Sequence, residues 1–173
     1  LCAHQRRAGL RGGGAGAQPL LIAHLGLGSN LDDRAALIAA ALERLAQDYP
    51  VNVLAVSSLH ETAPWGVTDQ PSFLNAAAAV ETRLTPQELL LACKRTEDKL
   101  GRIPGRRWGP RRIDIDILLC GDEVVNESGF AVPHPQMHLR SFVLAPLAEI
   151  APDVVHPVLG KTVRRLLEEL GED

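Results

Sequence analysis

With 173 residues, 46% of them hydrophobic and 23% charged, the chain has the composition of one soluble globular domain with a sizeable core. A net charge of −3 argues against a protein that coats nucleic acid, and no run approaches the roughly 18 uncharged apolar residues that a membrane span needs. The three cysteines, Cys2, Cys93 and Cys120, are scattered without metal-ligand spacing and read as reduced thiols of a cytoplasmic protein.

Residues 1–18 carry arginine and glycine, no acid and no hydrophobic period, so they are expected to form a disordered extension. An Arg-rich, acid-poor transit peptide is the lesser alternative. Residues 19–173 then read as a single domain. Residues 20–30 suit a buried strand ending in a turn at Gly28, Ser29 and Asn30. Asn30 or Asp32 is expected to cap a helix with apolar positions Leu37, Ile38, Ala41, Leu42 and Leu45. Residues 51–62 read as one strand, followed by a loop with two prolines and a glycine, and then an alanine-rich strand over 73–82.

Thr85, Pro86 and Glu88 have the spacing of a capping box with proline at the first helical position, and Gly101 ends the helix they open. After a loop rich in arginine and glycine, Ile113 to Ile117 alternate strictly, and 122–125 read as the return arm of a short hairpin. The tail carries a loop, VPHPQMHLR, a helix over 141–150 and a last helix over 161–170. The order is β-α-β-β-α-β, which predicts an α+β, ferredoxin-like core: a mainly antiparallel sheet with both helices on one face, plus a C-terminal helical extension.

Asp114 and Asp116 are the sharpest chemical feature. Residues i and i+2 of a strand point the same way, so both carboxylates face one side, roughly 7 Å apart, while Ile113, Ile115 and Ile117 face the core. Alone, such a pair is usually a solvated strand face. Here five arginines, Arg102, Arg106, Arg107, Arg111 and Arg112, crowd the glycine-containing loop just before it. Carboxylates that hold a hard cation, beside arginines that clamp phosphate oxygens, favour phosphoryl-type chemistry.

The six aromatic rings agree. Trp65 and Phe73 flank the first proline-rich loop, Trp108 sits among the arginines and Phe142 follows Arg140. Two such rings can sandwich a flat heterocycle while an amide such as Asn75 reads its edge, although core packing explains Phe73 and Phe142 equally well. The run GLGSN, from Gly26 to Asn30, is a weak phosphate-loop signal. His134 and His138 have ligand-like spacing, but His134 bonding a phosphate is the better reading. An RNA-binding sheet is the main rival class, and it lacks stacking rings at the strand centres, where Val53, Ala55, Ala77 and Ala79 stand.

The run RWGPRRIDIDIL, from Arg107 to Leu118, resembles the signature of the hydroxymethyldihydropterin pyrophosphokinase family. LGLGSNLDDR, ETAPWG, QPSFLNAA, VPHPQM and RSFVLAPLAEIAP follow the family's order around it. The resemblance implies a ferredoxin-like fold and transfer of pyrophosphate from ATP to 6-hydroxymethyl-7,8-dihydropterin in folate biosynthesis. It implies two Mg²⁺ ions held by Asp114 and Asp116, with Arg102 and Arg111 meeting the transferring group. Phe73 and Phe142 would stack on the pterin, Thr62 and Asn75 would bond its edge, and Trp65 would border it. Glu97, Trp108, Arg111, Ile117, His134 and Arg140 would help to hold ATP. The partners implied are these small substrates, with no nucleic acid and no membrane, for a monomer in the cytoplasm. Phe73 stands where the family often has tyrosine, Pro104 where it often has a base, and Gly129 and Ala131 also depart from its pattern.

Overall fold

The computed structural model describes residues 17–64, 66–101 and 109–171. Residues 1–16 of the expected extension, together with Trp65, Arg102, Arg106, Arg107 and Trp108, lie outside the described residues.

Strand β1 (Leu21–Ser29) buries Leu25 and Leu27 on one face and turns Gly26 and Gly28 to the other. Helix α1 (Arg34–Asp48) is capped by Asp33, whose carboxylate accepts from the Ala36 N–H at 3.1 Å, and not by Asn30 or Asp32. Asn30 turns inward, and Asp32 takes a positive φ of 56° and pairs with Arg112 at 2.7 Å.

The strand expected over 51–62 is two: β2 (Val51–Val56) and β3 (His60–Thr62). Ser57 causes the break, because its hydroxyl accepts the Ala77 N–H at 2.9 Å and so replaces a main-chain partner in the ladder. Strand β4 (Phe73–Thr82) leads to helix α2 (Pro86–Lys99), which forms with the full capping box and stops at Gly101, φ 84°.

Strand β5 (Asp114–Cys120) is not followed by a return arm over 122–125. Instead β6 (Val125–Glu127) and β7 (Phe130–Val132) make a separate two-stranded hairpin, turned at Gly129 with φ 78°. A 3₁₀ turn (Met137–Leu139), helix α3 (Ser141–Ile150) and helix α4 (Val163–Gly171) complete the chain. The last helix starts two residues later than expected because the Thr162 hydroxyl accepts from the Arg165 N–H at 3.2 Å.

The main sheet runs β2-β4-β1-β5, antiparallel throughout, with β3 also beside β4. On one face, Ile38, Ala41 and Leu45 of α1 and Leu89 and Cys93 of α2 pack against Leu25, Ala78 and Ile115. On the other, Leu144 and Leu147 of α3 and Val163 and Leu166 of α4 pack against Ala77 and Leu118. The C-terminal helices are therefore the second cover of the sheet and not an appendage. Residues 75–80 of β4 are buried between the two layers, and alanine there lets helices approach both sides closely.

Candidate active site

The helices α3 and α4 cover only part of their face, and a cavity of about 430 Å³ opens where they stop. Its floor is β1, where Gly26 pairs with Asp116 and Gly28 with Asp114 on the neighbouring strand. A Cβ on Gly28 would stand 3.2 Å from Asn75 Oδ1, and one on Gly26 would stand 3.4 Å from Leu118. These glycines are strand residues that keep the floor low, so the GLGSN run is not a phosphate-binding loop.

Asp114 and Asp116 both line the cavity, while Ile113, Ile115 and Ile117 are buried on the opposite face. Burial pushes the Asp116 carboxyl up to about 6, and the neighbouring charge of Asp114 adds to the rise. Asp114 has its own partner, Arg111 Nη1, at 2.8 Å. Arg112 turns away to Asp32 and to the Leu100 carbonyl, which it bonds through Nε at 3.1 Å.

Thr62, Phe73, Asn75 and Phe142 form the other end of the cavity. Register brings Thr62 opposite Phe73 and His60 opposite Asn75, and the Asn75 amide donates to the Thr62 hydroxyl at 2.7 Å. Phe142 enters from the first turn of α3, with the Arg140 guanidinium 5.7 Å from its ring centre. His134 and Arg140 line the side between the two ends. The Leu118 carbonyl holds the main chain of His134 at 2.9 Å, and its Nδ1 accepts from the Gln136 N–H at 3.2 Å. Burial, then the charge of Arg140, lowers its affinity for a proton. The neutral ring therefore offers Nε2–H as a donor.

His138 does not join His134; its ring meets His156 edge-on at 6.2 Å between centroids. Among the described residues, no group of three or more His, Cys, Asp or Glu side chains converges as a metal site. No helix there is long and apolar enough to cross a membrane.

A profile of the 7,8-dihydro-6-hydroxymethylpterin-pyrophosphokinase (HPPK) family matches residues 24–152. The chain belongs to this family. It is 51% identical to the 2-amino-4-hydroxy-6-hydroxymethyldihydropteridine pyrophosphokinase of Methylorubrum extorquens over 148 residues, covering 86% of this chain and 92% of that one. With the protein of the same name from Aquifex aeolicus the identity is 42%, covering 84% and 90%. In fold it resembles a crystal structure of Plasmodium falciparum HPPK-DHPS, with a TM-score of 0.72 at 18% identity over 90% of this chain. It spans only 46% of the length of that longer chain.

Two of the residues expected to hold ATP stand outside the cavity lining of this HPPK-family chain. Glu97 belongs to the buried row of α2, and its Oε1 accepts the Ile115 N–H at 2.7 Å. The Ile117 side chain packs in the α1–α2 core, because strand alternation points it away from Asp116 and brings Leu118, two residues after Asp116, to the cavity in its place. Trp65, Arg102 and Trp108 lie outside the described residues.

Two residues were missed. Gln136 lines the cavity and bonds the Arg140 guanidinium. Asn30, 1% exposed, is a junction of three segments. Its Oδ1 accepts from the Arg111 N–H at 2.8 Å, its N–H donates to the Arg111 carbonyl at 3.1 Å, and its Nδ2 donates to the Pro71 carbonyl at 3.1 Å. An asparagine after a strand looks the same in sequence whether it caps a helix or pins a loop.

Proposed function

We propose that this cavity is where pyrophosphate passes from ATP to the hydroxymethyl group of 6-hydroxymethyl-7,8-dihydropterin, giving AMP and the pterin diphosphate. As an HPPK-family member the chain is an ATP-dependent diphosphotransferase of folate biosynthesis, with ATP as co-substrate. The observation that carries the site reading is a single cavity with paired carboxylates at one end and two phenylalanine rings beside a Thr–Asn pair at the other.

Phe73 and Phe142 take the pterin ring, and Asn75 and Thr62 bond its edge. Their placement points the hydroxymethyl oxygen toward the carboxylate wall. That oxygen attacks the β-phosphorus of ATP, the bond from that phosphorus to the α,β-bridging oxygen breaks, and AMP leaves with the electron pair. The hydroxyl proton passes to Asp116 or to water. Arg111 moves from Asp114 to the transferring group, and His134 and Arg140 hold phosphate oxygens. By the family resemblance, Trp65 serves the pterin, Trp108 serves ATP and Arg102 meets the transferring group. Glu97 and Ile117 serve the nucleotide only indirectly, through the β5 main chain that they fix. Positioning supplies most of the rate, since phosphoryl transfer needs little covalent help.

The donor set fits Mg²⁺. Two hard carboxylates face one cavity, glycines opposite leave room, and so small a protein ligand set suits an ion that keeps water and phosphate ligands. When bound, two such ions would neutralise the triphosphate, with Asp114 and Asp116 as their protein ligands. The strand path supports a ferredoxin-like core for residues 19–173 as one domain. A monomer is what the family resemblance implies, and the free, buried Cys93 and Cys120 suit a reducing, ATP-rich cytoplasm. Incubation with ATP, Mg²⁺ and hydroxymethyldihydropterin should yield AMP and pterin diphosphate. ADP with a pterin monophosphate would overturn the assignment.

A further inference from the structure

Behind the aromatic end of the cavity, α3 and β3 are joined by a polar cluster that the reaction itself does not use. The Glu149 carboxylate accepts from the Ser58 N–H at 2.8 Å, from the Ser58 hydroxyl at 2.7 Å and from His60 Nε2. Ser58 and His60 are themselves 3.3 Å apart. These donors hold the Glu149 carboxyl down at about 2, the Ser58 hydroxyl contributing most. Its geometry is not that of a nucleophile with a general base, because serine and carboxylate meet the same histidine nitrogen.

The spacing gives the cluster a purpose. Glu149 lies seven residues after Phe142, two turns along α3, so both side chains leave the same face of the helix. His60 and Thr62 are i and i+2 of β3 and share a face of the strand, the one that carries Phe73 and Asn75. Phe142 with Thr62 and Glu149 with His60 are thus two rungs of one α3–β3 contact. The first rung borders the cavity, and the second is outside it. A carboxylate in the last turn of a helix is opposed by the helix dipole, so its presence there calls for compensating donors, and His60 of β3 and Ser58 just before it supply them. Strand β3 has only three residues; β4, Ser72, Arg34 and Asn75 hold it to the sheet side, and the Glu149 clasp ties it to α3.

We infer that Glu149, clasped by Ser58 and His60, is a positioning residue that sets the gap between α3 and β3 and thereby the affinity for the pterin; this rests on the reading of Phe142 and Thr62 as pterin contacts. An ordinary exposed ion pair contributes little and would leave ligand affinities untouched. A clasp instead couples a distant substitution to one substrate and not to the other.

The test compares Glu149→Ala, Glu149→Gln and Phe142→Ala. Pterin affinity is measured by titration with a non-hydrolysable ATP analogue and Mg²⁺ present, analogue affinity is measured without pterin, and a thermal melt shows that each variant is folded. Glu149→Ala should raise the pterin Kd on the order of tenfold, a normal size for coupling between separate sites, and leave the analogue Kd within about twofold. Glu149→Gln keeps an oxygen for the Ser58 donors and should restore most of the affinity. The clasp is wrong if Glu149→Ala binds pterin like the parent, if it weakens both ligands equally, or if Gln is as poor as Ala. Should Phe142→Ala weaken pterin binding while Glu149→Ala does not, the clasp falls and the slot stands. An unchanged pterin Kd in Phe142→Ala overturns the slot itself, and the clasp with it.

Discussion

The two faces of the main sheet are made by alternate residues of the same strands, and they have different fates. On the α1–α2 face, Leu25, Ile113, Ile115 and Ile117 meet Ile38, Leu45, Leu89 and Cys93 in a continuous packed layer. On the opposite face, α3 and α4 seal Ala77 and Leu118 but stop short of Gly26, Gly28, Asp114 and Asp116, which floor and wall the cavity. One step along β5 therefore separates a side chain that keeps the protein folded from one that does chemistry. Complete coverage gives stability; incomplete coverage leaves carboxylates and aromatic rings facing space that a ligand can fill.

The strongest way to break that division is at Asp114 and Asp116. Replacing either with alanine should lower turnover by about 10²–10³-fold, the scale of losing a key electrostatic contact, while the thermal midpoint of the ligand-free protein holds or rises. A large loss of folding stability in either variant would make the carboxylates structural and erase the distinction between the faces. The mirror experiment is Leu25→Ala, from the same sheet and the packed face. It should cost about 2–5 kcal/mol in denaturant unfolding, and turnover per folded molecule should stay within about twofold of the parent.

Phe142→Ala sharpens the comparison within the cavity. A lost aromatic stack should weaken pterin binding by about 1–3 kcal/mol, taking base stacking as a guide, with little effect on an ATP analogue. Equal losses for both ligands in parallel titrations would show that the ring is core packing after all.

The packed face was legible in the sequence because it rests on periodicity. The α1 row, the Thr85–Glu88 capping box and the alternation of isoleucine with aspartate are local patterns, and each forms as expected. What was not legible depends on which distant groups meet. Ser57 breaks a strand because its hydroxyl finds Ala77, and Asn30 leaves its expected cap role because Arg111 and Pro71 are nearer in space. The β6–β7 hairpin, turned locally at Gly129, forms a sheet of its own apart from β5. The bulge in β5 that turns Leu119 as well as Leu118 toward the α3–α4 layer has no local signature. Phe73 and Phe142 look alike whether they pack a core or line a slot, and only partial coverage by α3 decides between the two.

The smallest expected effect concerns pH and again turns on Asp116. Burial, then repulsion from Asp114, lifts its folded-state pKa to about 6 from an ordinary 3.8. The folded protein therefore holds a proton between those two values that the unfolded chain releases. The stability this contributes is fully present below about pH 4 and is lost as pH rises through about 6, leaving a charged and poorly solvated carboxylate at neutral pH. In metal-free buffer at pH 7, Asp116→Asn should be more stable than the parent, by on the order of 1–3 kcal/mol. Other groups oppose this trend. His24, His134 and His156 are lowered, mainly by burial, so the stability they contribute is present above about 6.5 and lost as pH falls. Glu149, held near 2, acts below about 4.5, where its stabilisation is lost on acidification. The absolute curve mixes these effects, and the difference between parent and Asp116→Asn isolates the one in question. That difference, from denaturant unfolding at several pH values, should be small at pH 4 and grow steadily to pH 7. A difference that is flat across this range would mean that Asp116 is solvated like a surface acid, and that the cavity wall is more open than its burial implies.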